Sequence, residues 1–276
     1  MSKTESSSPI IVGSGTANIA EDAIFGKNVI VYAGATIAPG VTIGSNCVIM
    51  PGNYIASSQI EENCTIGLNN YITGCSIGAN VKVGNNNTII SCTISGQCSL
   101  KNNNNITSSV LEVSSSLQCG NTINQSVICS GANIDSSHID SSSVGKGCSV
   151  GPFARLRPNS KLAENVKVGN FCEIKNSLVG SGSKISHLAY VGDASIGKNC
   201  NIGCGVIFAN YNGKIKSKIC LQDNCFIGSN VNLIAPLVVG EGSYICAGTT
   251  VTHSTNADDF VIGRVRQIVK PNYPKP

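Results

Sequence analysis

The sequence predicts an all-β solenoid, and three observations support this prediction. The first is an apolar residue that recurs about every six positions over most of the 276 residues. The second is the composition, with 30 Gly, no Trp and only 5% aromatic residues, which favours a narrow core of stacked Ile and Val. The third is that a period of six matches neither a helix, with apolar residues three and four apart, nor a two-faced strand, with apolar residues two apart.

The repeat is most regular from Val150 onward. A period of six fits very short strands joined by tight bends, with one side chain per strand in a common core. Gly often follows the apolar residue and relieves the backbone at the bend. Stacked coils then pair their strands in parallel, about 4.8 Å apart, as a solenoid does. The apolar positions are Leu162, Val168, Ile174, Val179, Ile185, Val191, Ile196, Ile202, Phe208, Leu221, Ile227, Leu233, Val239, Ile245 and Val251.

The first half of the chain repeats the pattern without an evident site. Residues 1–8 are Ser-rich and polar, and we expect them to be disordered. Residues 9–149 are predicted to form N-terminal coils, with an irregular stretch around Thr107–Gln125. Asn and Ser are abundant here because they suit tight bends, an interpretation that we prefer to a polar binding strip.

One segment interrupts the repeat in the second half. Ala209–Cys220 contains Asn-Gly and three Lys, and it is long enough to leave the coil. We predict an extruded loop near 209–220, and loops on rigid scaffolds often carry function.

The fourteen Cys are predicted to be core residues rather than disulfides or metal ligands. Seven of them lie four residues after an apolar position, where a small side chain is needed: Cys47, Cys64, Cys98, Cys148, Cys172, Cys200 and Cys225. Reduced Cys behaves as a small hydrophobe, and many unpaired thiols indicate a reducing compartment, which favours the cytoplasm. No Cys-x-x-Cys occurs, and we expect no metal.

Charge and hydropathy exclude two classes of partner. The net charge is only +4 and no Lys/Arg run is dense enough for a nucleic-acid groove. No apolar run approaches about 18 residues, so no membrane span is expected, and the start does not resemble a signal peptide.

Two cations are predicted to lie close together on the surface. Arg157 and Lys175 each follow an inward-facing residue, so they point outward on nearby coils. Such a pair suits a phosphate group, because Arg offers a fork of donors. The alternative is a solvated face in which Glu173 is their local partner.

His187 is the candidate general base. It is one of three His, with His138 and His253, and it lies off the core phase of the repeat. A neutral imidazole near pH 7 suits proton removal from an amine or hydroxyl. The alternative is that this His is incidental.

Residues 150–266 resemble the acetyltransferase domain of the bacterial bifunctional N-acetylglucosamine-1-phosphate uridyltransferase/glucosamine-1-phosphate acetyltransferase, a hexapeptide-repeat acyltransferase. The resemblance covers about 117 of 276 residues. It implies a left-handed parallel β-helix with about 18 residues per coil. The segments that carry it are Gly-Pro-Phe-Ala-Arg-Leu-Arg-Pro (151–158), Val-Gly-Asn-Phe-Cys-Glu-Ile-Lys (168–175), His-Leu-Ala-Tyr-Val-Gly-Asp (187–193), Asn-Ile-Gly-Cys-Gly (201–205), Ala-Asn-Tyr-Asn-Gly-Lys (209–214), Ile-Gly-Ser (227–229), Ala-Gly-Thr-Thr-Val-Thr (247–252) and Ile-Gly-Arg-Val (262–265).

The resemblance also implies a role for individual residues. His187 would be the general base, Glu173 would orient it, and Ser229 would stabilise the oxyanion or protonate the leaving thiolate. The implied sugar-phosphate ligands are Arg157, Lys175, Tyr190, Asn201 and Lys216. The implied acetyl-CoA contacts are Cys204, Asn210, Tyr211, Ser229, Ala247 and Arg264.

The implied reaction is acetyl transfer from acetyl-CoA to the amine of glucosamine-1-phosphate. Residues 150–252 would form the catalytic coils, and the tail 253–276 would contribute to the cofactor site. The implied assembly is a homotrimer with active sites between subunits. Cys204 replaces an Ala of the family, and no base is evident beside it, so we expect direct transfer. No uridyltransferase activity is expected, because extra coils stand where that family has its nucleotidyltransferase domain.

Three alternatives remain at this stage. One is a hexapeptide acetyltransferase for another amino sugar or sugar nucleotide. A second is a zinc carbonic anhydrase on the same coil, although the three His are far apart in the repeat. The third is a non-catalytic β-helix scaffold, which would not bind acetyl-CoA.

Overall fold

The computed structural model describes residues 7–271, and all regular structure in this range is β. The chain winds into a parallel β-helix with three flat faces, which matches the left-handed β-helix of hexapeptide repeats. Most of the segment expected to be disordered, residues 1–6, lies outside the described range. Ser7 donates its N–H to the carbonyl of Phe25 at 3.0 Å.

Each face of the β-helix is one parallel sheet. Face A has 15 strands: β1 (Ile10–Val12), β4 (Ile30–Tyr32), β7 (Val48–Ile49), β10 (Thr65–Ile66), β13 (Lys82–Val83), β16 (Ser99–Leu100), β19 (Ser116–Leu117), β22 (Asn133–Ile134), β25 (Ser149–Val150), β28 (Lys167–Asn170), β31 (Lys184–His187), β34 (Asn201–Ile202), β37 (Phe226–Ile227), β40 (Tyr244–Ile245) and β42 (Phe260–Val261). Face B has 14: β2 (Asn18–Ile19), β5 (Thr36–Ile37), β8 (Tyr54–Ala56), β11 (Tyr71–Thr73), β14 (Thr88–Ile90), β17 (Asn105–Thr107), β20 (Thr122–Asn124), β23 (His138–Asp140), β26 (Arg155–Leu156), β29 (Glu173–Lys175), β32 (Tyr190–Gly192), β35 (Ile207–Ala209), β38 (Asn232–Ile234) and β41 (Thr250–Val251). Face C has 13: β3 (Ile24–Phe25), β6 (Thr42–Ile43), β9 (Gln59–Ile60), β12 (Ser76–Ile77), β15 (Thr93–Ile94), β18 (Val110–Leu111), β21 (Val127–Ile128), β24 (Ser143–Val144), β27 (Lys161–Leu162), β30 (Leu178–Val179), β33 (Ala194–Ile196), β36 (Ile219–Leu221) and β39 (Leu237–Val239).

The predicted repeat positions form the core. Every apolar position named above from Leu162 to Val251 is buried, with at most 4% of its surface exposed. Many coils are one residue shorter than the expected 18: Val48 pairs with Thr65, and Thr65 with Lys82. The repeat along such a coil is six, five and six residues, as the core positions Ile49, Ile55, Ile60 and Ile66 demonstrate.

The irregular stretch expected at Thr107–Gln125 is wrong, because β17 to β20 continue the coils without a break. Leu111, Leu117 and Ile123 are fully buried at the regular spacing. The bends here are built by Ser108 and Ser114 at positive φ, 48° and 60°, instead of by Gly. The sequence therefore looked irregular although the backbone is not.

The abundant Asn serve the bends and the interior. Many Asn at bends adopt the left-handed conformation, for example Asn63 at φ 58° and Asn80 at φ 61°, which Asn tolerates better than most residues. A second set is a buried column, in which each side-chain oxygen accepts the backbone N–H of the next member. The column consists of Asn53, Asn70, Asn87, Asn104 and Asn121.

The cysteines are core residues, as predicted. All fourteen are free, and the seven in the small-residue position are buried. Burial raises the pKa of the Cys98, Cys148 and Cys172 thiols, which favours the neutral form.

The extruded loop is also confirmed. Leu178 pairs with Ser195, 17 residues later, but Ser195 pairs with Cys220, 25 residues later. The eight extra residues leave the coil between β35 and β36, and Tyr211 and Lys216 form an isolated antiparallel bridge across the loop.

Candidate functional site

The predicted site residues lie along two edges of the β-helix and on the face between them. The corner where face A turns into face B is called the His187 edge, and it includes Asn170, His187, Cys204, Ser229 and Ala247. The corner where face B turns into face C is called the loop edge, and it includes Asp193, Asn210 and the extruded loop. Face B, about three residues or roughly 10 Å wide, separates them.

The His187 edge is a column built by strand register. Lys184–Ile185 pair with Asn201–Ile202, so His187 and Cys204 occupy the same position on adjacent coils. The pairs Ile202–Ile227 and Ile227–Ile245 extend the column to Ser229 and Ala247.

The column ends at the C-terminal segment. The Arg264 guanidinium donates a hydrogen bond from Nη1 to the Ala247 carbonyl at 2.9 Å. Coils stack about 4.8 Å apart, so His187 and Ala247 are separated by roughly 14 Å along the axis. His187, Ser229, Ala247 and Arg264 are exposed, and Cys204 is half-buried.

His187 has one side-chain partner in the described range. Its Nδ1 lies 2.9 Å from Oδ1 of Asn170, which occupies the equivalent position on the preceding coil. Sequence analysis missed Asn170, although the spacing of 17 residues between the two positions is the signal that pairs them. Glu173, predicted to orient His187, instead forms an ion pair with Arg157, with Nη1 and Oε1 2.9 Å apart.

Asp193 organises the loop edge and was not predicted. Its carboxylate accepts hydrogen bonds from Nδ2 of Asn176 at 2.6 Å and from Nδ2 of Asn210. Lys175 Nζ lies 4.0 Å from Asp193 Oδ2, and this carboxylate is only 10% exposed. The Asp193 carbonyl also accepts the N–H of Ile219, so one residue binds both ends of the loop.

Electrostatics keep this carboxylate ionised. Burial alone would raise the pKa of Asp193, but the hydrogen bonds from Asn176 and Asn210 outweigh it. The nearby charges of Lys175 and Lys216 act in the same direction as the hydrogen bonds. The pKa of Asp193 is therefore held below its usual value of 3.8.

Face B joins the two edges. Glu173 pairs with Tyr190 on the next coil, and Lys175 pairs with Gly192. The Tyr190 ring lies along the strand toward the loop edge, because a Cβ added at Gly192 would be 2.4 Å from the Tyr190 hydroxyl. The same Cβ would be 2.8 Å from Nδ2 of Asn210. Gly192, also missed by sequence analysis, therefore leaves room for Tyr190.

The structure brings together some of the predicted residues and separates others. Arg157, Glu173, Lys175 and Tyr190 share face B. The predicted acetyl-CoA contacts divide: Cys204, Ser229, Ala247 and Arg264 follow the His187 edge, whereas Asn210 and Tyr211 are on the loop edge.

The remaining predicted residues lie outside this cluster. Lys216 is exposed on the loop, near Asp193. Asn201 lies at the start of β34 on face A, opposite Lys184. The hydroxyl of Tyr211 donates to the Gly213 carbonyl at 2.7 Å, within the loop itself.

The surroundings of Cys204 differ from the sequence interpretation, which found no base beside it. His187 is in the equivalent position one coil away. No hydrogen bond joins the two side chains in residues 7–271, so the structure offers no activated thiolate.

Two further searches gave negative results within the described part of the chain. Residues 7–271 contain no group of three or more His, Cys, Asp or Glu arranged to hold a metal ion. They also contain no helix long and apolar enough to cross a membrane.

Comparison with protein families divides the chain into three matched segments. Residues 9–111 match the GMPPB C-terminal domain, and residues 112–195 match the GlmU-like C-terminal hexapeptide domain. Residues 222–253 match the hexapeptide repeat of succinyl-transferase.

Similar curated proteins include the bifunctional protein GlmU from several bacteria. The protein from Clostridioides difficile is 52% identical over 143 residues, which is 52% of this chain and 31% of that protein. The protein from Shouchella clausii is 49% identical over 145 residues, 52% of this chain and 32% of that protein. The chain thus matches about a third of the length of these relatives.

Solved structures with a related fold include an Arabidopsis UDP-N-acetylglucosamine acyltransferase, at 13% identity and TM-score 0.35, covering 86% of this chain and 68% of that one. Another is AntD, an N-acyltransferase from Bacillus cereus, at 20% identity and TM-score 0.24, covering 46% of this chain and 76% of that one. These values are too low to carry an argument about function. The family matches and the GlmU relatives confirm the resemblance drawn from the motifs: the chain carries a GlmU-like C-terminal hexapeptide domain.

Proposed function

We propose that the protein is an N-acetyltransferase that transfers acetyl from acetyl-CoA to the amine of glucosamine-1-phosphate. The observation that carries the proposal is the continuity of the His187 edge with the basic end of face B. Half of the chain is also about 50% identical to the bifunctional protein GlmU.

An acceptor fits along face B in one orientation. Arg157 and Lys175 lie at the end of face B nearest the loop, and each is already next to a carboxylate, Glu173 or Asp193. A phosphate at this end has two cations available, with Lys216 of the loop nearby. The sugar then lies over Tyr190 and Glu173, with its amine toward His187.

His187 is the proposed general base. Its Nε2 takes a proton from the amine, and the nitrogen forms a bond to the thioester carbonyl carbon as the carbon–sulfur bond breaks. The proton returns to the departing thiolate, so charge balances over the cycle. Ser229 is the proposed donor to the developing oxyanion or to the leaving sulfur.

The co-substrate is proposed to lie along the His187 edge. Cys204, Ser229, Ala247 and Arg264 form a continuous strip on this edge, and an extended thioester can follow it. Asn210 and Tyr211 contact the co-substrate only if a neighbouring copy supplies its loop edge. We therefore propose a homotrimer in which each site combines two chains, located in the reducing cytoplasm.

The test is release of free CoA thiol from acetyl-CoA, with amino sugars offered as acceptors. We expect turnover with glucosamine-1-phosphate and at least tenfold lower kcat/KM with glucosamine, which lacks the phosphate. The variants Arg157→Ala and Lys175→Ala should raise KM for the phosphorylated acceptor, whereas Lys82→Ala, on an exposed N-terminal coil, should not. A preference for another amino sugar or a sugar nucleotide would reassign the acceptor. Absence of acetyl-CoA binding by calorimetry would favour a scaffold.

A further inference from the structure

The side chain of Asn170 is the hydrogen-bond partner of the His187 imidazole in the described residues, with Asn170 Oδ1 and His187 Nδ1 2.9 Å apart. An amide oxygen accepts hydrogen bonds and cannot donate them. Nδ1 must therefore carry the ring proton, and Nε2 keeps its lone pair. Only this tautomer can remove a proton through Nε2.

The backbone holds the two side chains together. β28 and β31 are each four residues long, and the register Asn170↔His187 continues their pairing to the corner. Gly169 allows the close approach, because a Cβ there would lie 2.0 Å from the Ser186 carbonyl oxygen. The Asn170 carbonyl accepts the N–H of Leu188 at 3.0 Å, which fixes the bend beside the imidazole.

The neutrality of the amide matters as much as its geometry. A carboxylate at this position would stabilise the imidazolium and keep it protonated at higher pH. The other titratable groups around His187 are Lys184 on its own strand, Lys167 on β28, Cys204 on the next coil, and Glu173 and Tyr190 at the start of face B. None of them hydrogen-bonds the imidazole within residues 7–271.

We propose that Asn170 is a positioning residue that fixes His187 as the Nδ1–H tautomer while leaving it neutral near pH 7. This inference rests on the proposed function for its kinetic consequence. Its structural part, the tautomer, is independent of the substrate.

The direct test is nitrogen NMR of the imidazoles in the full chain, labelled with ¹⁵N-histidine. The variants His138→Gln and His253→Gln assign the remaining signal to His187. We expect protonated Nδ1 and unprotonated Nε2 at a pH where the ring is neutral. Asn170→Ala should move the signal toward the Nε2–H tautomer that dominates in free histidine. The control Asn105→Ala, an exposed amide on face B of an N-terminal coil, should leave it unchanged.

The kinetic test uses the same variants in the thiol-release assay. Asn170→Ala should lower kcat roughly 10- to 100-fold with little change in KM, as loss of an orienting partner typically does. Asn170→Asp should restore the tautomer and raise the pKa of His187, moving the acid limb of kcat/KM to higher pH. A purely structural role for Asn170 would not move that limb.

The outcomes separate the two proposals. An Nε2–H signal in the unsubstituted protein, or a signal that Asn170→Ala does not change, overturns the role of Asn170. Absence of thiol release together with the expected NMR signals would contradict the proposed function and leave the tautomer assignment standing.

Discussion

The coils of residues 48–140 and those of residues 155–264 are built from the same short parallel strands but present different side chains outward. On face B, the first strand position carries Tyr71, Thr88 and Asn105 in the earlier coils. In the later coils it carries Arg155, Glu173 and Tyr190. The inward positions are Ile, Leu or Val in both regions. The core therefore sets the coil, and the outward positions are free to carry chemistry.

The largest expected effect is the loss of the general base. His187→Ala should lower kcat by about 10²–10⁴-fold, because proton transfer by a positioned base contributes that much. Acetyl-CoA binding by calorimetry should be nearly unchanged. The matched control is His138→Ala, since His138 is an exposed His on face B of the earlier coils. Equal turnover by both variants would mean that His187 is not the base.

The second prediction concerns the space reserved for Tyr190. Gly192→Ala places a Cβ 2.4 Å from the Tyr190 hydroxyl, so the ring must move off the strand. We expect kcat/KM for the phosphorylated acceptor to fall by about 100-fold, as displacement of a contacting group can cause. The equivalent position in an earlier coil is Thr107, and Thr107→Ala should leave the kinetics unchanged. A crystal structure of the Gly192→Ala variant with Tyr190 unmoved would contradict this explanation.

The third prediction reverses the comparison, since it affects stability and not the site. Asn121→Ala removes a buried side chain that accepts the N–H of Ser137 at 2.9 Å. It also leaves the oxygen of Asn104 without its donor. We expect a loss of about 1–3 kcal/mol in the free energy of unfolding, measured by urea denaturation. The kcat of the folded fraction should stay the same, and a selective drop in kcat would mean that the two regions are coupled.

The smallest effect is a pH dependence of stability from Asp193. Its pKa is below 3.8 in the folded protein, so its ionised form stabilises the fold above about pH 4. That stabilisation is lost as the pH falls through the folded pKa. Asp193→Asn should flatten this acid limb in melting experiments between pH 5 and about pH 2. An unchanged limb would indicate that other carboxylates dominate acid unfolding.

The sequence predicted the fold well because one residue in six carries it. The spacing of residues such as Ile174 and Val191 specified the coil, the core and the place where the loop leaves it. The irregular reading of Thr107–Gln125 failed because Ser, like Gly, can form the bends.

The candidate site was predicted less completely. Arg157, Lys175 and His187 were found from charge, phase and motif. Asn170, Asp193 and Gly192 were missed because their roles depend on which side chains meet across coils. Such contacts appear only when the register is known, and the eight-residue insertion hides it in the sequence.

The insertion leaves the stacking order of the coils intact, since Ile202 still meets Ile227 on the following layer. Each layer closes on itself before the next begins, so surplus residues at a corner need not disturb the layers above or below. An ancestral chain could thus have gained or lost its protruding arm in one step while keeping the catalytic strip collinear. By the same reasoning, a variant with residues 211–216 replaced by a short turn should still fold, and it would separate what the arm contributes from what the rod contributes.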